Sequence, residues 1–162
     1  MTRKVKWVGW VLLAVVVGIQ FVQPARTNPV GDVSESIYSQ PALPADVAGI
    51  LRRSCTDCHS NDTRWPWYSY VAPVSWMVVD DVNAGRKRVN FSAWQKLQTK
   101  KAKEGLEDLC DIVSEKGMPL RSYVWMHRET ELSDAERKRL CEWTRQEQTR
   151  LAESVPLVPA KP

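Results

Sequence analysis

The run Cys55-Thr56-Asp57-Cys58-His59 constrains this chain more than any other stretch. Whatever the fold, it must present two thiols three residues apart with an imidazole beside the second. C-x-x-C-H at the end of a short helix is the c-type haem attachment signature. The spacing has a chemical reason: each thiol bonds a different vinyl group of one porphyrin, and the adjacent imidazole sits beneath the iron as proximal ligand.

Three plainer readings compete with haem. A thioredoxin-like C-x-x-C needs a βαβ setting, which is missing here. A zinc site needs a fourth ligand, which only His127 or an acid would supply. A disulfide between Cys55 and Cys58 leaves His59 unexplained. The 162 residues contain four Cys and two His, so this triple arises by chance about 10⁻³ times per chain of such composition. The motif therefore predicts haem c, one group held through two thioether bonds.

The N-terminus carries the charge. Lys and Arg total 23 against 19 Asp and Glu, for +4, but Arg3, Lys4 and Lys6 account for three of these. Residues 1–6 form a basic flank to the apolar run Trp7–Val22, which is 16 residues long or about 24 Å as a helix. The pattern predicts a single N-terminal membrane helix with its basic end cytoplasmic, and a cleaved signal segment is the rival reading. Either way the remainder is exported, to a single-pass position on the bacterial cytoplasmic membrane with the domain in the periplasm, or free in the periplasm. No Lys/Arg stripe interleaved with aromatics follows, which argues against nucleic acid as a partner.

Residues 23–44, with four prolines, read as an extended linker, and residues 154–162 as a flexible tail. The function must lie in residues 45–153, whose apolar spacing predicts helices. Val47, Ile50 and Leu51 mark a short helix ending near Ser54. A second starts around Pro73 and stops at Gly85. Ser92 caps a third carrying Trp94 and Leu97. Leu106, Leu109, Cys110 and Val113 line a fourth, ended by Gly117 and Pro119, and Ser133 with Glu136 forms a capping box for the last. The fold class is all-α.

Met118 is the leading distal ligand, because a loop thioether between Gly117 and Pro119 reaches an iron where a helical one rarely does. His127 competes, while Met77 and Met126 lie in helix-like runs that read as packing. Cys110 and Cys141, on apolar faces of separate helices, read as a disulfide.

Several motifs occur in order: Cys55-Thr56-Asp57-Cys58-His59-Ser60-Asn61, Trp65-Pro66-Trp67-Tyr68, Ala72-Pro73-Val74-Ser75-Trp76, Gly85-Arg86, Asn90-Phe91-Ser92-x-Trp94 and Met118-Pro119. Over Pro41 to Gln148 the chain resembles the bacterial haem-binding domain family, which is similar to small monohaem c-type cytochromes. The resemblance implies Cys55 and Cys58 as attachment points, His59 as proximal ligand and Met118 as distal ligand. It implies a small cytochrome c-like helical domain wrapped around one covalent haem. Asp80-Asp81-Val82 departs from it, standing where many relatives have a His.

Eight Trp against two Phe suggest a lining for a large flat cofactor. Trp67 and Trp76, which flank a short loop after the attachment site, are the leading haem contacts. Arg86 is the leading partner for a propionate, with Tyr68 and Trp94 behind it. The expected function is a membrane-tethered one-electron carrier serving redox partner proteins, not an enzyme. The alternative is a haem-based gas or peroxide binding protein, a sensor or weak peroxidase, with His127 and Arg128 as the distal pair. A haem-containing scaffold subunit of a larger enzyme shares every feature of the carrier.

Overall fold

A computed structural model describes residues 3–97 and 99–153. The described residues contain helices and no strand, in agreement with the all-α class. Seven α-helices follow in order: α1 (Arg3–Ile19), α2 (Ala45–Ser54), α3 (Thr56–His59), α4 (Val74–Arg88), α5 (Thr99–Ser114), α6 (Arg121–Met126) and α7 (Asp134–Glu153), with short 3₁₀ turns between them. The expected tail, residues 154–162, lies outside the described residues.

One core joins α2, α5 and α7. Leu51, Leu106 and Leu140 are fully buried there, each contributing about 1.5–3 kcal/mol. Trp94 and Trp143 belong to the same cluster. The disulfide Cys110–Cys141 fastens α5 to α7. It closes a separation of 31 residues, which stabilises the fold by about 3–4 kcal/mol in the chain-entropy model. The capping box forms as the sequence predicts: Glu136 N donates to Ser133 Oγ at 3.2 Å, and Ser133 N donates to Glu136 Oε2 at 2.8 Å.

The N-terminal segment differs from expectation. α1 has 17 residues, about 26 Å, and its basic Arg3, Lys4 and Lys6 shorten the apolar part further. No helix among the described residues is long and apolar enough to cross a membrane. That overturns the membrane helix and, with it, the single-pass location. Gln20 closes the helix: its amide accepts from Ala72 N at 2.9 Å and donates to Ala72 O at 3.0 Å.

Residues 23–44 are no free linker either. Two 3₁₀ turns, Val33–Glu35 and Ile37–Ser39, interrupt them, and Ile37 is 1% exposed in the core. The prolines suggested an unattached strand, but bonds from side chains to backbone hold it. Asn28 Nδ2 donates to Thr63 O at 2.9 Å and Arg26 Nη1 to Ser69 O at 3.1 Å.

Three helix ends also move. α4 continues through Gly85 to Arg88, because Gly85 serves close packing rather than a stop. The third helix is a 3₁₀ turn, Phe91–Lys96, capped by Asn90, while Ser92 Oγ accepts from Asn61 N at 3.0 Å. After α5 it is Lys116, at φ 59°, that takes the left-handed conformation. Gly117 N donates to Ile112 O at 2.8 Å and Lys116 N to Val113 O at 3.2 Å, the paired bonds of a Schellman end with Gly117 at its second position. A Cβ at 117 would meet Ile112 Cδ1 at 2.6 Å, so the Ile112 side chain would have to shift to admit it.

Candidate functional site

The attachment motif occupies one helical turn. Cys55 leaves helical geometry at φ −129° and separates α2 from α3. His59 N then donates to Cys55 O at 3.0 Å, so Cys55, Cys58 and His59 fall on one face at spacings of three and four. Neither Cys55 nor Cys58 is in a disulfide. Burial, then the neighbouring thiol, pushes Cys55 up to about 12. Burial, then Asp81 and Asp57, pushes Cys58 up to about 11.

α4 lies hard against this turn. A Cβ on Gly85 would meet Cys58 O at 2.6 Å, so any side chain there would push the helices apart. The helix end delivers Val89, whose carbonyl accepts from His59 Nδ1 at 3.1 Å. A carbonyl only accepts, so Nδ1 carries the proton and Nε2 keeps its lone pair, the state a metal-binding imidazole needs. Burial lowers the His59 pKa against the upward pull of the Val89 and Gly85 carbonyls, which also favours the neutral ring. Phe91 packs beside the ring at 5.8 Å between centroids.

Two adjoining cavities, of about 310 and 380 Å³, open beside this face. Cys55, His59 and Met118 line both of them. The remaining walls are largely apolar: Leu120 and Leu132 in the first, Leu109 and Ile112 in the second, with Val113 common to both. These volumes lie in the range of cofactor sites. Two unpaired thiols, a neutral imidazole, a thioether on the same cavities and apolar walls fit a porphyrin with its iron.

Met118 reaches the cavities from the loop after α5. Arg137 Nη1 on α7 donates to Val113 O at 2.6 Å and to Met118 O at 3.1 Å, which fixes the loop's backbone. His127 lines neither cavity. Its Nε2 is bonded to Tyr68 OH at 2.9 Å, and its ring stacks on Tyr123 at 4.6 Å. Arg128, Met77 and Met126 line neither cavity as well.

The other sequence candidates lie elsewhere. Trp67 is 72% exposed, and Trp76 donates through Nε1 to Val22 O at 2.7 Å. Among the described residues no tryptophan lines either cavity. Arg86 turns away to rivet two loop segments: it donates to Ser60 O and Thr27 O, each at 2.7 Å, to Thr63 Oγ1 at 2.8 Å and to Asn28 Oδ1 at 3.0 Å. The arginine lining both cavities is Arg88, ion-paired with Asp108 of α5. Helical geometry was the missed signal. A helix carried to residue 88 puts Asp81, Gly85 and Arg88 on one face and Arg86 off it. Tyr123 was missed too; it lines the first cavity and donates to Asp57 Oδ2 at 2.6 Å. Burial raises the Asp57 carboxyl, but bonds from Arg64 and Tyr123 outweigh it and hold the pKa below its usual value.

No curated protein and no solved structure matches this chain. A family model described as "Haem-binding domain" matches residues 14–146, most of the sequence and the whole site. The match begins well before Pro41, consistent with an N-terminal segment that is folded into the domain. The chain belongs to the haem-binding domain family, and the pocket between Cys55, His59 and Met118 is where its residues suit that cofactor.

Proposed function

We propose that the chain is a monohaem c-type one-electron carrier, with haem attached through Cys55 and Cys58 and its iron held between His59 and Met118. One observation carries this reading: Cys55, His59 and Met118 line both adjoining cavities. When bound, haem supplies a reversible one-electron couple at its iron. Cys55 and Cys58 would hold the group, each thiol adding its S–H across one vinyl double bond with no net oxidation. His59 offers Nε2 because Nδ1–H is committed to Val89 O. Met118 would offer its thioether sulfur as the second protein ligand, leaving no open position for a substrate.

Among the described residues Arg88 is the one Lys or Arg lining either cavity, and its place there suits it to a propionate better than Arg86, which lines neither. The carrier is favoured over the gas or peroxide reading because no distal His–Arg pair lines the cavities; His127 and Arg128 lie outside them. Redox proteins are the expected partners.

Absorption spectra of the haem-loaded chain test the reading. Wild type is expected to bind no CO in the ferrous state, and Met118→Ala to bind it promptly. Haem is expected to stay with the chain through acid–organic extraction and to be released from Cys55→Ser/Cys58→Ser. Prompt CO binding by wild type, or haem extracted from wild type, would overturn it.

A further inference from the structure

Pro119 lines the first haem cavity and, on its other side, a separate open concavity of about 600 Å³. Lys116, Arg121, Arg128 and Arg137 line this second hollow, with Glu115 and Glu131 set among them. Arg137 is occupied with the Val113 and Met118 carbonyls, and Lys116 lies 3.6 Å from Asp134. Arg121 and Arg128 make no side-chain hydrogen bond or ion pair among the described residues, and both are exposed. Trp125, on α6 between them, is 72% exposed in the same hollow.

An exposed indole flanked by free guanidinium groups matches the composition that dominates protein interfaces, where Trp and Arg supply most of the binding energy. Residues 7–153 carry 19 Lys and Arg against 19 Asp and Glu, since the net charge sits on Arg3, Lys4, Lys6 and Lys161. A local excess of cations therefore orients an approaching partner rather than attracting anions everywhere.

We propose that this concavity is the docking surface for an acidic patch on a partner protein, placing that partner across Pro119 from Met118. The proposal rests on the electron-carrier reading and names the chemistry of the carrier's partner. The mixed lining favours a protein over a nucleic acid. Glu115 and Glu131 complement the scattered cations of a folded acidic surface and repel a continuous phosphate chain.

The full chain is titrated at low salt with a helical peptide of repeated Glu-Glu-Glu-Lys, read by calorimetry. Binding is expected in wild type and should weaken about tenfold or more in Arg121→Glu/Arg128→Glu. Trp125→Ala should weaken it as well. Lys87→Glu/Arg145→Glu, the same change in net charge on exposed residues elsewhere, should stay within about twofold of wild type. Equal losses in both charge-reversal pairs, no binding by wild type, or tighter binding of a single-stranded oligonucleotide than of the peptide would each overturn the proposal.

A second measurement separates the docking surface from the carrier reading. The reduced haem-loaded chain gives one electron to ferricyanide, an anion, or to hexaammineruthenium(III), a cation. The Arg121/Arg128 variant should slow the first reaction severalfold and leave the second unslowed. Electron transfer to neither reagent would sink the carrier reading, while the peptide titration would still decide the surface.

Discussion

The two sides of the haem cavity are each tied down by an arginine, and the two arginines differ in how completely they are used. On the His59 side, Arg86 donates from Nε and both terminal nitrogens to four acceptors spread over residues 27–63. On the Met118 side, Arg137 donates through Nη1 to two carbonyls, and its buried Nε has no hydrogen-bond partner among the described residues. His59 also has its own bond to Val89 and a neighbouring helix packed within contact of Cys58. Met118 is held through its backbone, at the end of α5. The His59 position is thus over-determined, while Met118 depends on a loop and on the α5–α7 pair that carries it.

Removing the disulfide should have the largest effect, because it loosens that pair. Cys110→Ala/Cys141→Ala is expected to lose about 3–4 kcal/mol in denaturant unfolding. If the contrast between the two sides is right, amide exchange near Met118 will accelerate more than exchange near His59. Equal acceleration on both sides would dissolve the distinction.

Next comes Gly85→Ala, expected to cost about 1–3 kcal/mol as its Cβ forces α4 away from Cys58. Gly49→Ala in α2 is the matched comparison, with no atom within 4 Å of the new Cβ. It should be neutral or stabilising by up to about 1 kcal/mol. Melting temperatures that move together for the two variants would show that Gly85 matters for helix propensity and not for contact.

Arg137→Ala should cost about 1–2 kcal/mol, since it leaves the Val113 and Met118 carbonyls without this donor. In the haem-loaded protein it should also raise CO binding above wild type without altering covalent retention of haem. A variant with wild-type CO behaviour would mean that the loop holds Met118 without Arg137.

The smallest effect concerns the cap of α7. Burial raises the Glu136 carboxyl, but bonds from Ser133 and Arg53 outweigh it and hold its pKa below the usual value. A carboxyl lowered on folding contributes in full above its unfolded pKa, near 4.3, and that contribution is lost as pH falls through the folded value. Stability measured against pH should therefore fall more steeply below about pH 4 in wild type than in Glu136→Gln. Parallel curves would remove Glu136 from the account.

Local signals in the chain were legible wherever one element sufficed to explain them. C-x-x-C-H, the Ser133–Glu136 box and the apolar spacing of α2, α5 and α7 each lie within a few turns, and all appear in the fold. The pairing of Cys110 with Cys141 was readable because each sits on the apolar face of a helix. What stayed hidden depended on contacts between elements. Gly85 is ambiguous in sequence: a helix stop and a point of close approach use the same residue, and only α3 packed against it decides. Residues 23–44 look like a tether by composition, yet Ile37 is buried and Arg86 reaches Thr27 and Asn28 from 58 or 59 positions away. The tryptophans misled because a large aromatic suits a core, a cofactor wall or an exposed surface equally well. Here Trp94 and Trp143 fill the core, and Trp67 and Trp125 face outward.

Arg86 has a mechanical consequence. It joins residues 27 and 28 of the N-terminal segment to Ser60, the residue directly after His59, through a single rigid guanidinium plane. Arg86 therefore ties this part of the N-terminal segment to the backbone directly beside the His59 imidazole. The Met118 side hangs instead from α5 and α7 through Arg137, so two walls of one pocket answer to different parts of the chain.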